Sequence, residues 1–188
     1  MASEVQICNR ALQRLGAGRI ASMDAESKEA REVSVAYEPL RDFMLRSHPW
    51  SFAISRVALA ADSTAPVGDD APAYQYSWPA DAVRILLPKS ANLDWIIEGR
   101  KILTDDVAPL YVRYITQVTD PNTMDPMFRE ALACWIAHEL CESLTQSNSK
   151  KAGLLEDLKV MIAEARRTNA IEKPPVESAD GSWDTDRL

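Results

Sequence analysis

Cysteine and histidine are scarce in this chain, at three and two among 188 residues. An odd cysteine count without dense spacing excludes a disulfide scaffold and suits a reducing compartment. Long hydrophobic runs are missing too. The longest, Ala131 to Ala137, has seven residues, against the ~18 that a membrane helix needs, so no membrane partner is expected. The opening MASEVQICNR lacks a basic stretch followed by an apolar one, so no secretory signal is expected either. Positive charge is in deficit: Lys plus Arg is 21 and Asp plus Glu is 28, a net charge of −7. That balance argues against tight non-specific DNA binding, in which neutralised phosphates supply most of the affinity.

What is there is enough apolar residue, 46% of the chain, to bury a core. Eight of the eleven prolines lie between Pro49 and Pro126, which predicts turns and short strands in the middle and helices on either side. Ser3 with Gln6 three residues on opens a first helix with Val5, Cys8, Leu12 and Leu15 on one stripe, and Gly16 and Gly18 stop it. A second helix begins near Asp24 to Ser27 and carries Ala30, Val33, Tyr37, Leu40 and Met44. Pro39 predicts a kink or break within it. His48 is driven towards extended backbone by Pro49.

From Trp50 the period changes to two, with Phe52, Ile54, Val57 and Leu59. Residues 62–73 read as a loop. Tyr74, Tyr76 and Trp78 alternate with polar residues, and Val83 to Leu87 reads as another strand. Trp95 to Ile97 and Ile102-Leu103 flank Glu98-Gly99-Arg100, a hairpin. Leu110 to Val118 is the last strand, with Tyr111, Arg113 and Ile115 on one face. Short connections predict a mainly antiparallel sheet. Asp125-Pro126 then starts a helix with Phe128, Leu132, Trp135, Ile136 and Leu140 on a wide buried face. After the polar turn Gln146 to Ser149 comes a last helix with Leu154, Leu155, Leu158, Met161, Ile162 and Ala165.

The expected fold is α+β: an α-helical bundle formed by both chain ends, residues 1–48 and 121–172, with an inserted, mainly antiparallel β-sheet subdomain at 49–120. Residues 173–188 hold Glu177, Asp180, Asp184 and Asp186 against Lys173 and Arg187, and are expected to be a flexible acidic tail that orders on a partner. No internal repeat is present.

Motifs for chemistry are weak. His138-Glu139-Leu140-Cys141-Glu142 is one residue from the H-E-x-x-H zinc pair, with Glu142 where the second histidine belongs. Cys134, His138 and Cys141 share a helical stripe, but the two cysteines are ~10 Å apart along it, too far to share a zinc, so no metal is expected. There is no G-x-S-x-G turn and no P-loop. Gly16-Ala17-Gly18 lacks the strand and third glycine of a dinucleotide loop, and Thr104-Asp105-Asp106 lacks calcium-loop spacing. Arg10, Arg14 and Arg19, and Lys150, Lys151, Arg166 and Arg167, read as solvated helix faces. Tyr74, Tyr76 and Trp78 lack basic neighbours in sequence, so sheet packing is favoured over base stacking. No enzymatic site, cofactor or catalytic residue is expected.

Several blocks in order resemble tail tubular protein A, the head-to-tail adaptor family of short-tailed phages. They are Ile7-Cys8-Asn9-Arg10-Ala11-Leu12, Leu15-Gly16, Glu29-Ala30-Arg31, Arg41-Asp42, Leu45-Arg46, and His48-Pro49-Trp50-Ser51-Phe52-Ala53. Trp78-Pro79-Ala80-Asp81, Glu98-Gly99-Arg100, Ile102-Leu103-Thr104-Asp105, Arg113-Tyr114 and Phe128-Arg129-Glu130-Ala131-Leu132 continue the series over about residues 5–170. Pro39 departs from the family's pattern, and the chain after Lys173 matches nothing in it. The resemblance implies a structural protein of the virion that assembles with itself into a ring, usually of twelve subunits. Its partners would be the portal protein and the tail nozzle protein, with DNA passing through the channel without specific binding. It implies the head–tail junction of the virion, and the host cytoplasm during assembly. Apart from the resemblance, the tail itself is expected to bind a partner ring through Pro174, Pro175, Trp183 and Leu188, with Trp183 and Leu188 as the apolar anchors. The alternatives are a small hydrolase using His138 with Glu139 or Glu142, and a regulatory binding module.

Overall fold

The computed structural model describes residues 2–68, 71–87 and 94–172; Pro174, Pro175, Trp183 and Leu188 lie outside the described residues. Helices α1 (Glu4–Leu15) and α2 (Lys28–Ser47) are followed by six strands, then α3 (Pro126–Thr145) and α4 (Asn148–Ile171). The strands are β1 (Ile54–Leu59), β2 (Tyr74–Ser77), β3 (Ala82–Leu86), β4 (Ile96–Glu98), β5 (Lys101–Thr104) and β6 (Leu110–Thr116). The fold is α+β.

Local chemistry sets the helix ends. The hydroxyls of Ser3, Ser27 and Ser147 accept from the backbone N–H three residues on, at Gln6, Ala30 and Lys150. The Asp125 carboxylate accepts from Met127 and Phe128, with Pro126 at the first helical position. Each satisfies donors that the helix itself cannot. Gly16 closes α1 with φ +72, a conformation costly for any residue with a Cβ. Lys150 Nζ also donates to the Leu15 carbonyl at 2.8 Å, placing a cation at the negative end of α1.

The chain ends pack on each other through α3, which touches α1, α2 and α4. Serving three neighbours, α3 buries residues around its circumference: Phe128, Leu132, Ala133, Ile136, Ala137 and Cys141 among them. Trp50 and Phe52 fold back onto it from the α2–β1 link. The Trp50 and Phe128 rings meet edge-on at 5.2 Å, and Trp50 Nε1 donates to the Met44 carbonyl at 2.9 Å. At Pro39, where a kink or a break is expected from the sequence, helix α2 runs on without a break. The lost bond falls on the exposed side of the helix, where both Pro39 and Val35, the residue four back, are open to solvent. Trp135 is only half-buried, because its edge of α3 faces outward beside α2.

The strands form two antiparallel sheets rather than one, in the orders β1-β6-β3 and β2-β5-β4. Because side chains alternate across a strand, each face of the first sheet has a separate destiny. Ile115 points into the helical core, while Ile85, Val112 and Tyr114 share a second cluster with Tyr76 and Ile102 of the other sheet. The β4–β5 hairpin turns on Gly99 and Arg100, with φ +51 and +62, the two left-handed residues of a type I′ turn.

Candidate interaction surfaces

The groups best suited to chemistry are spent on structure. Cys8, Cys134 and Cys141 are unpaired by disulfides and buried. Burial, with Glu4 adding to it, pushes the Cys8 thiol up to about 12, and burial raises Cys134 as well. Neither is a ready nucleophile at neutral pH. Cys134 lies 3.7 Å from the Leu154 carbonyl and Cys141 3.3 Å from the Thr145 hydroxyl. In the His138 to Glu142 segment, Cys141 is buried, His138 is half-buried, and Glu139 and Glu142 are exposed. Glu142 pairs with Lys151 at 2.9 Å. Among the described residues no group of three His, Cys, Asp or Glu side chains could hold a metal ion.

The other candidates have equally structural partners. Arg10 and Arg14 both pair with Glu130, stitching α1 to α3. Asp105 accepts from Ala73 N–H, and Asp106 takes Trp95 Nε1–H on its carboxylate and the Tyr76 hydroxyl on its carbonyl. Tyr76 is therefore a core residue, whereas Trp78 carries the Arg100 guanidinium 5.3 Å from its ring. That basic neighbour comes from a hairpin twenty-two residues on, out of reach of a local reading.

Blocks distant in sequence meet in one polar seam. Arg41 is buried, with Nε 2.9 Å from Asp42, and Asp42 also accepts from Gln117 at the end of β6. Asp81 accepts from Thr116 at 2.6 Å and from the Tyr114 hydroxyl at 3.4 Å, and its carbonyl takes Gln117 N–H. Arg100 donates to the carbonyls of Pro79, Ala80 and Ala82. This seam locks the β4–β5 hairpin to β3, β3 to β6 and β6 to α2.

Two surfaces among the described residues stand out. The first is a groove of about 1060 Å³ between α2 and α3, floored by Ala36, Leu40, Trp135 and Leu140. Val35 and Phe43 stand on its wall with 77% and 58% exposure, and Phe43 meets the Trp135 ring edge-on at 5.1 Å. Glu32, Glu139 and Glu142 against Arg31 give its lining an acidic balance. Because Trp135 reads as core from its spacing, the groove was hidden in the sequence; Val35 and Phe43, off the buried stripe of α2, were the available signal.

The second surface is basic. On the face of β1-β6-β3 that carries Ile115, Arg56 stands directly opposite Arg113, and Arg84 lies on the neighbouring strand β3 opposite Ile115. Arg46, at the end of α2, donates to the Val83 carbonyl, and Arg84 donates to the Arg46 carbonyl. Among the described residues none of these four guanidiniums has an ion pair. Two arginines directly opposite each other repel, so the array is unfavourable unless an anionic group lies on it. Exposed Tyr111 and Leu87 supply apolar area beside it.

No protein-family model and no curated protein matches the chain.

Proposed function

We propose that the protein is a structural adaptor of a phage particle, assembling with copies of itself into a ring between the portal and the tail nozzle. The observation that carries the reading is the α2–α3 groove. Val35 and Phe43 are two of several exposed large apolar side chains, but they stand together around a concave apolar floor, the mark of a protein–protein contact. The groove supplies the lateral contact between subunits, as expected for a bundle that neighbours its own copies. The blocks resembling tail tubular protein A support the same reading, and their convergence in a polar seam gives them a scaffolding role. An acidic exterior suits a channel wall, because DNA slides past charge of its own sign without being gripped.

The test is electron microscopy and sedimentation of the chain alone and with portal rings. The expected result is rings docked on portals by the wild type, and Phe43→Asp chains that stay folded but fail to close. A wild-type chain that stays monomeric in the presence of portal, or is missing from purified particles, overturns the reading.

A further inference from the structure

We propose that the α2–α3 groove of one subunit receives Tyr111 of the next, with Arg56 and Arg113 beside that tyrosine reaching Glu32 and Glu139 on the rim. The inference rests on the groove being the lateral contact between subunits, and it names the surface of the next copy that fills it. The rim carries Glu32, Glu139 and Glu142. Glu142 is held by Lys151 at 2.9 Å, but Glu32 and Glu139 have no ion pair among the described residues. The floor of Ala36, Leu40, Trp135 and Leu140 is apolar and concave. A fitting occupant is therefore convex, apolar at its tip and positive at its flanks.

Tyr111 and its neighbours have that form. The tyrosine is 77% exposed on β6, and Arg113, two residues on, lies on the same face because side chains alternate across a strand. Arg56 stands across from Arg113 on β1, while Ala58, across from Tyr111, is too small to cover the ring. Tyrosine and arginine are among the residues that dominate the buried centres of protein contacts. The two guanidiniums repel each other where they stand. Two carboxylates from a neighbour relieve that repulsion through charge-assisted, often bidentate hydrogen bonds.

Other occupants account for less. Nucleic acid would satisfy the arginines but leave Val35, Phe43 and the apolar floor uncovered, and the net charge of −7 repels it. An unrelated basic protein would fill the groove and leave the opposed arginines as they are. A second copy answers both surfaces at once. Because the groove lies on α2 and α3 and the tyrosine on the sheet, the contact joins unlike surfaces. Repeated from copy to copy, such a contact closes into a ring where the rotation between subunits allows.

The test is sedimentation velocity of the full chain without portal. The expected result is concentration-dependent association of the wild type. Tyr111→Ala, Arg56→Glu/Arg113→Glu and Glu32→Lys/Glu139→Lys each weaken it by about tenfold or more. The two charge reversals combined in one chain meet with signs exchanged, and association returns. A second measurement keeps every charge in place. In Arg56→Lys/Arg113→Lys amines replace guanidiniums, so carbodiimide joins them only to carboxylates they touch. In a mixture of light and heavy isotopes, the expected links run between chains, from position 56 or 113 to Glu32 or Glu139. Lys101–Asp62 links within one chain, at 3.1 Å, are the control for folding. A wild type still monomeric at ~1 mM, reversals that associate like the wild type, or a folded combined variant that regains nothing overturns the proposal. Control links without links between chains do so too. So does a short DNA duplex that disperses the oligomers and binds the wild type but not Arg56→Glu/Arg113→Glu, which makes the face a phosphate site. Failure here is separate from failure of the adaptor reading. Rings formed on portals by Arg56→Glu/Arg113→Glu chains sink this contact and keep the adaptor, whereas correctly linked oligomers that ignore portals do the reverse.

Discussion

Asn169→Ala isolates the joint that ties the last turn of α4 to the link between α2 and β1. The Asn169 side chain is 7% exposed and makes three polar contacts: with Ser51 N–H, with the Pro49 carbonyl, and with His48 Nε2 at 2.9 Å. Truncation leaves the part-buried Ser51 N–H without its acceptor, a loss of about 1–3 kcal/mol. The two contacts through Nδ2 add ~0.5–1.5 kcal/mol each where no water replaces them. The expected destabilisation is about 2–4 kcal/mol, or a fall in Tm of ~5–12 °C for a chain of this size. Urea unfolding followed by tryptophan fluorescence reads it directly, because Trp50 lies one residue from the severed bond. A midpoint that falls with unchanged slope is the expected form. A loss below ~0.5 kcal/mol, or a slope that changes while the midpoint holds, would falsify the reasoning that α4 is pinned at this point.

Three further outcomes are expected. The three thiols, all fully buried, should resist an aromatic disulfide reagent in the native chain and react completely in denaturant; fast native labelling of Cys8 contradicts its packing. Burial tends to raise the Asp62 carboxyl, but hydrogen bonds from Lys101 and Ser77 outweigh it and hold it below the usual carboxylate range. Its contribution is therefore full above the unfolded value of ~3.9 and is lost as pH falls through the lower folded value. Asp62→Asn should flatten that part of the acid limb, and an unchanged limb in urea titrations from pH 5 to 2 refutes the assignment. Deleting residues 174–188 should weaken attachment to portal rings while leaving the thermal transition in place; full attachment by the shortened chain refutes the anchoring role of Trp183 and Leu188.

Much of the fold was legible because its signals are local. Ser3, Ser27 and Asp125 announce helix starts through bonds spanning two or three residues, and Gly99 announces the hairpin. The stripe Cys8, Leu12 and Leu15 reads directly as core. What was not legible depends on partners far along the chain. The division into two sheets arises because β6 pairs with both β1 and β3, while β5 pairs with β2 and β4, and no strand's composition states its neighbour. Arg56 and Arg113 each look like an ordinary exposed strand residue. Only the register Arg56↔Arg113 makes them a charged site. Whether Pro39 breaks α2 was not legible either, because its cost depends on which side of the helix it occupies, and that side is set by the packing of Tyr37 and Met44.

Helix α3 explains why the open surfaces lie where they do. It is enclosed by α1, α2 and α4, and its apolar residues are consumed by those contacts over most of its circumference. Helix α2 is different: it packs mainly on α3, touches α1 slightly, and meets β3 through Arg46 near its C-terminal end. A second stripe, Val35, Pro39 and Phe43, stays outside. Exposed valine and phenylalanine do nothing for an isolated helix, since β-branched and aromatic residues are mediocre helix formers. Proline in the interior is worse still. Three successive turns that each carry an unfavourable exposed residue on one line are poorly explained by stability of the single chain. If the proposed subunit contact completes the groove, removing the stripe should leave the lone subunit at least as stable while costing it its assembly, read by thermal unfolding and sedimentation.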